Sequence, residues 1–338
     1  MRIPALIALL AAGCSTGPTR RGPDGDAAAP DSGDAWDAGG PDDAAAAGWP
    51  DVPAAPLPDV LAQGLAAPCG VAVSADGLVV AEEGGGRVVR VPFEGGEPVE
   101  LASGLAGPRL LAVAGDAILV TERAGGAVAR IDAAGALRIA ESQTNPGRVG
   151  TDGEFAYWVA EGTGAADGAV RRVPLEGGAV EDLLTGLVSP GGLAIGGGRA
   201  FFTESGPREV GYVPVEGGAD VRVADDDGTP TAVAIDVLAG EAYWLSPGTR
   251  GGGFIHLSDL DLAGDERVAF TQSGPHGLDL DETHVYFAGG SSVSRAPRAG
   301  GDYEDVVPRA AVCDLAVGPG AIFWADASTG RVHRQAIP

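Results

Sequence analysis

A Pro-x-Gly-small-hydrophobic element recurs down this chain and divides nearly everything after the first fifty-odd residues into seven copies of one unit. Aligned on one hydrophobic position, the copies fall at Val73, Val113, Thr151, Ile195, Ile235, Leu280 and Val317, in steps of 40, 38, 44, 40, 45 and 37 residues. Five positions before each stands Pro68, Pro108, Pro146, Pro190, Pro230 or Pro275, and only the last copy, with Val312, departs. A period near forty with strand-like content predicts an all-β chain, a seven-bladed β-propeller with four strands per blade. Because the stretch from Gly251 to Leu262 is long and irregular, six blades is the alternative count.

Within a copy, short β-rich runs are split by glycine-rich turns, the pattern of antiparallel strands. In the fourth copy these runs are Gly192 to Ile195, Ala200 to Glu204, Val210 to Pro214 and Asp220 to Ala224. The first run is built mostly of Gly, Ala, Val and Ile, as strands crowding a common axis require. The second carries the aromatics Tyr157-Trp158, Phe201-Phe202, Tyr243-Trp244, Tyr286-Phe287 and Phe323-Trp324, wide enough to fill the wedge between blades. Glycine pairs at Gly95-Gly96, Gly177-Gly178, Gly217-Gly218 and Gly300-Gly301 supply the positive φ of a tight hairpin.

The two ends complement each other. The chain stops after a third-strand pattern, Gly330 to Arg334, whereas Val60 to Pro68 reads like the fourth strand and exit of the first copy, Glu100 to Pro108. An N-terminal strand completing the last blade would close the ring and leave no open sheet edge.

Residues 1–13 read as a signal peptide: Met1-Arg2, an apolar run from Ile3 to Ala12, then small residues, too short to span a bilayer. Ala11-Ala12-Gly13-Cys14 resembles the bacterial lipobox, which implies cleavage before Cys14 and its lipidation; Ala11 stands where leucine is usual. An ordinary signal peptide with an incidental cysteine is the alternative. Ser15 after the cysteine implies sorting to the outer membrane, by the same resemblance. Residues 14–57, rich in Ala, Asp, Gly and Pro, have too little apolar surface to fold and read as a tether, with Trp36 and Trp49 its only bulky side chains. The propeller is expected over 58–338.

The net charge is −25, and −20 of it belongs to residues 58–338, which hold 19 arginines against 39 Asp and Glu. An acidic domain without a basic stripe repels phosphate backbones, so nucleic acid is not an expected partner. Cys69 and Cys313 each lie four residues before their blade's reference position, in blades that adjoin across the closure. A disulfide there is sterically feasible and permitted outside the cytoplasm; two buried free thiols are the alternative.

The same register collects side chains at one mouth of the channel. One ring reads Cys69, Arg109, Gly147, Gly191, Thr231, His276 and Cys313; the next reads Gly70, Leu110, Arg148, Gly192, Ala232, Gly277 and Asp314. Asp279 occupies a position that is alanine or glycine in the other six copies. Arg109, Arg148, His276, Asp279 and Asp314 are therefore the candidate ligand-binding residues, the arginines suited to a carboxylate or phosphate. Capping of a turn, or pairing with a neighbouring arginine, is the competing reading of Asp279. The acids ending second strands, Glu82, Glu122, Glu204, Asp326 and the displaced Glu161, are expected to make one repeated structural hydrogen bond rather than a metal ring. Asp225-Asp226-Asp227-Gly228 lacks the ligand spacing of an EF-hand and is read as a solvated turn. No cofactor or resident metal is expected.

Ala242-Tyr243-Trp244 and Ile322 to Asp326 are similar to the YWTD repeats of extracellular receptor propellers; Phe201 to Glu204 and Ile118 to Glu122 resemble the WFTE repeats of streptogramin B lyases. The resemblance covers roughly 58–338 and implies the fold. Those lyases are seven-bladed and use magnesium with histidines and glutamates of their last two blades. Pro275-His276-Gly277-Leu278 is similar to their Pro-His element, but Ala311-Val312-Cys313 stands where Glu-x-His is required. His256, His284 and His333 sit elsewhere in their blades, so no catalytic role carries over. Lactonase-type propellers hold calcium with asparagines, and Asn145 is the only one here. The expected function is a monomeric, membrane-anchored binding scaffold for an envelope protein, peptide or glycan. A divergent hydrolase or lyase acting at the channel mouth is the alternative.

Overall fold

The structure is a computed structural model that describes residues 58–337 except 249–251, 272–275 and 290. Residues 1–57, where a signal and tether are expected, with Cys14 among them, and Pro275 lie outside the described residues. Among the described residues, twenty-eight strands form seven four-stranded antiparallel sheets. The first strand, β1 (Asp59–Gln63), belongs to the last sheet. Blade one is β2 (Pro68–Ser74), β3 (Gly77–Glu82), β4 (Arg87–Val91) and β5 (Val99–Ala102); blade two is β6 (Pro108–Ala114), β7 (Ala117–Glu122), β8 (Ala127–Asp132) and β9 (Gly135–Ala140). Blade three is β10 (Pro146–Thr151), β11 (Phe155–Ala160), β12 (Gly168–Pro174) and β13 (Glu181–Leu187). Blade four is β14 (Pro190–Gly196), β15 (Arg199–Glu204), β16 (Glu209–Pro214) and β17 (Val221–Ala224). Blade five is β18 (Ala232–Asp236), β19 (Glu241–Pro247), β20 (Gly253–Asp259) and β21 (Glu266–Thr271). Blade six is β22 (His276–Leu280), β23 (His284–Gly289), β24 (Ser292–Pro297) and β25 (Glu304–Pro308). Blade seven is β26 (Asp314–Gly318), β27 (Ala321–Asp326) and β28 (Arg331–Ala336), with β1 as its fourth strand.

The protein is a seven-bladed β-propeller. The irregular stretch that left six blades open is an ordinary third strand, β20, paired residue by residue with β19. Closure occurs as the chain ends imply: β1 runs antiparallel to β28, Asp59 opposite Arg334 and Gln63 opposite Arg331. Arg334 also holds the Asp59 carboxylate at 2.6 Å.

The core consists of seven clusters, each spanning two neighbouring blades. Successive side chains of a strand face opposite sides of the sheet, so each aromatic pair serves two interfaces. Trp158 packs toward blade two with Leu119 and Val128, while Tyr157 packs toward blade four with Leu193 and Phe202. The cluster of Phe323 and Val332 with Val71 and Val80 joins blade seven to blade one. Inter-blade burial of this kind supplies most of the driving force for ring formation. All four glycine pairs have positive φ, from 79° at Gly95 to 145° at Gly178, as their hairpins require.

Candidate functional site

Antiparallel alternation puts the starts of all inner strands on one face of the ring and their turns into the second strands on the other. Arg109, Arg148, His276 and Asp314 stand toward the first face, and Asp279, the penultimate residue of β22, lies further along the channel. Arg148, in β10, reaches across the channel from blade three to Asp314, the first residue of β26 in blade seven. Its Nη1 and Nη2 each donate to Asp314 Oδ1 at 3.1 Å. Those blades are as far apart as two members of a seven-membered ring can be, so the pair spans the mouth. Asp314 is buried and Arg148 less than a third exposed. A pair of this kind adds little net stability but is costly to break.

Asp279 lies in β22 and ties blade six to blade seven. Its Oδ2 accepts the Val317 N–H at 2.7 Å and its Oδ1 the Leu280 N–H at 2.9 Å. Burial pushes its carboxyl up to about 6; the two N–H donors and Arg148 pull it down, and Asp314 adds to the rise. His276 Nε2 donates to the carbonyl of Val312 at 3.0 Å, which fixes the ring against blade seven. Arg109 lies 3.8 Å from Glu83 of blade one. Of the five candidates, Arg148, Asp314 and Asp279 come together electrostatically, while His276 and Arg109 are directed to other partners. Beside Asp314, Cys69 and Cys313 form a disulfide with Cα atoms 5.0 Å apart. This arrangement holds the ring shut and bridges its axis.

The second-strand acids do make one repeated bond. Glu82, Glu122 and Glu204 accept the backbone N–H of Ala66, Ala106 and Val188, each 16 residues earlier, at 2.8, 2.6 and 2.5 Å. Arg87, Arg138 and Arg222 neutralise them. At Glu122 burial would raise the carboxyl, but Arg138 and the Ala106 N–H outweigh it and hold it below the usual range. Asp326 instead caps its own turn through Ser328 and Thr329, and Glu161 pairs with Arg123 at 2.7 Å.

Blade five departs from this pattern, and the solvated turn expected at Asp225 is corrected. Its second strand carries Ser246 at the place of Glu82, Glu122 and Glu204, and the loop supplies a carboxylate there instead. Asp225 is buried and accepts from Trp244 Nε1 at 3.0 Å, from the Ser246 hydroxyl, and from the N–H groups of Asp227 and Gly228. His256 of β20 is fully buried and stacked on Trp244, centroids 5.0 Å apart and planes 7° apart. Donor atoms of Asp225, Asp227 and His256 lie within 4.8 Å of one another. The Asp-rich turn was visible in sequence; the histidine some thirty residues later became its neighbour only on folding.

Other grooves lie on the opposite face or between blades. One of about 340 Å³ includes Asp76, Arg90, Asp116 and Asp132, and one of about 710 Å³ includes Asp236, Leu238, Glu266 and Arg298. Neither includes a candidate mouth residue.

No protein-family model matches the sequence, and no curated protein matches it. Solved structures do. Hydrazine synthase of Kuenenia stuttgartiensis is 13% identical with a TM-score of 0.63, over 81% of this chain and 97% of that one. The computationally designed Ika8 protein is 13% identical with a TM-score of 0.59, over 82% and 98%. A chain of a nidogen/laminin complex is 17% identical with a TM-score of 0.53, over 63% of this chain and 86% of that one. At such identities the likeness is one of fold.

Proposed function

We propose that this protein is exported, anchored in the bacterial outer membrane by lipid on Cys14, and uses its propeller as a noncatalytic, monomeric scaffold for an envelope protein, peptide or glycan. The observation that carries the scaffold reading is the Arg148–Asp314 pair, which occupies the groups that would otherwise recognise a small ligand. A propeller of similar fold occurs in a nidogen/laminin complex, in keeping with protein recognition by this architecture. The acidic surface favours a partner that is neutral or basic where it touches.

The enzyme reading rests on Asp279, whose carboxyl near 6 is in the range useful for proton transfer at neutral pH. Two experiments test the proposal. Radiolabelled palmitate fed to an expressing Gram-negative bacterium should label the full chain and not Cys14→Ser; equal labelling, or none in the wild type, rejects the anchor. Hydrolase and lyase substrates offered with magnesium or calcium should show no turnover. Turnover that disappears in Asp279→Ala while folding persists would replace the scaffold by an enzyme.

A further inference from the structure

We infer that blade five holds a divalent transition-metal site, of the zinc type, formed by Asp227, His256 and Asp225. The argument starts from the histidine. Its Nδ1 lies 2.7 Å from Asp265 Oδ1, and because an ionised carboxylate only accepts, Nδ1 carries the proton. In the neutral ring Nε2 is then a bare lone pair. That atom is buried, has no hydrogen-bond partner among the described residues, and faces Asp227 Oδ2 at 3.4 Å. A lone pair against a carboxylate oxygen is repulsive unless a positive charge lies between them.

Geometry favours an ion over a proton. A charge-assisted N–H···O bond closes to about 2.7–2.9 Å. Donors bound tetrahedrally at about 2.0–2.1 Å sit about 3.3 Å from each other, which matches the separation seen. One imidazole nitrogen with carboxylate oxygens suits zinc and its neighbours better than calcium or magnesium. Among the described residues Asp225, Asp227 and Asp265 face one guanidinium, Arg267, which grips Asp227, and this excess of carboxylates suits a divalent cation.

The supporting shell is already built. Asp265 sets the tautomer and raises the basicity of the ring, Trp244 holds the imidazole plane by stacking, and Trp244 Nε1 with two backbone N–H groups orients Asp225. The ion would take the place of the Ser246 hydroxyl proton on Asp225 Oδ2, leaving a fourth position for Ser246 or water.

The test uses the full chain in detergent, stripped with EDTA and titrated with Zn²⁺ alone by calorimetry and Trp fluorescence. We expect one saturable site per chain, a change in Trp emission, and loss of affinity on the order of 10–100-fold in Asp265→Asn, with a larger loss in Asp227→Asn. Nitrogen-15 spectra of the stripped wild type should show the His256 Nε2 resonance move on adding Zn²⁺, a readout that does not depend on whether His256 variants fold. Absence of saturable binding, binding unchanged in Asp227→Asn, or an unmoved His256 Nε2 overturns the proposal.

Discussion

Replacing Asp279 by alanine should change how stability depends on pH, and the sign is set by where the carboxyl sits. The other six copies carry alanine or glycine at this position, so alanine fits the inner strand. In the native protein the carboxyl titrates near 6 instead of 3.8, chiefly because of burial. The folded state therefore holds a proton that the unfolded state has lost between those values, and stability falls as pH rises through that window. The rise from 3.8 to about 6 corresponds to about 3 kcal/mol at about 1.36 kcal/mol per pH unit. The residue's partial exposure reduces it to about 2 kcal/mol. Urea unfolding followed by the buried Trp158, Trp244 and Trp324 provides the assay. Subtracting the Asp279→Ala free energy from that of the wild type cancels titrations common to both. The difference should favour the wild type most near pH 4, decline by about 2–3 kcal/mol toward pH 7, and stay level above it. A difference that is flat, or that grows with pH, would refute the assigned environment.

The channel pair and the staple offer two further checks. Arg148→Ala leaves Asp314 buried without a counter-charge and should cost about 3–5 kcal/mol, whereas Arg148→Met with Asp314→Leu should recover most of it; thermal melts of the three proteins decide. Cys69→Ser with Cys313→Ser opens a cross-link between residues 244 apart and should cost about 2–5 kcal/mol without changing the far-ultraviolet dichroism, and no loss would mean the strand β1 alone secures the ring.

Much of the architecture was legible in the chain because it follows from local rules repeated seven times. The period marks a blade, paired glycines mark its outer hairpin, consecutive aromatics mark the strand that serves two interfaces, and the surplus strand at Val60 has its complement at Arg334. Most of these are properties of neighbouring residues, so the sequence pointed to a seven-bladed ring closed by its N-terminal strand, while the choice of seven over six blades came from the sheets themselves. The pairings among the side chains at the mouth are another matter. A ring places every inner strand near one axis, so many arginine and carboxylate pairs are within reach, and spacing along the chain does not choose between them. Only the tertiary structure joined Arg148 to Asp314, 166 residues apart, and turned His276 toward Val312. It alone buried Asp225 against Trp244 and set Asp227 beside His256, because side-chain reach between separate strands is a matter of three-dimensional distance, on which the local repeat is silent.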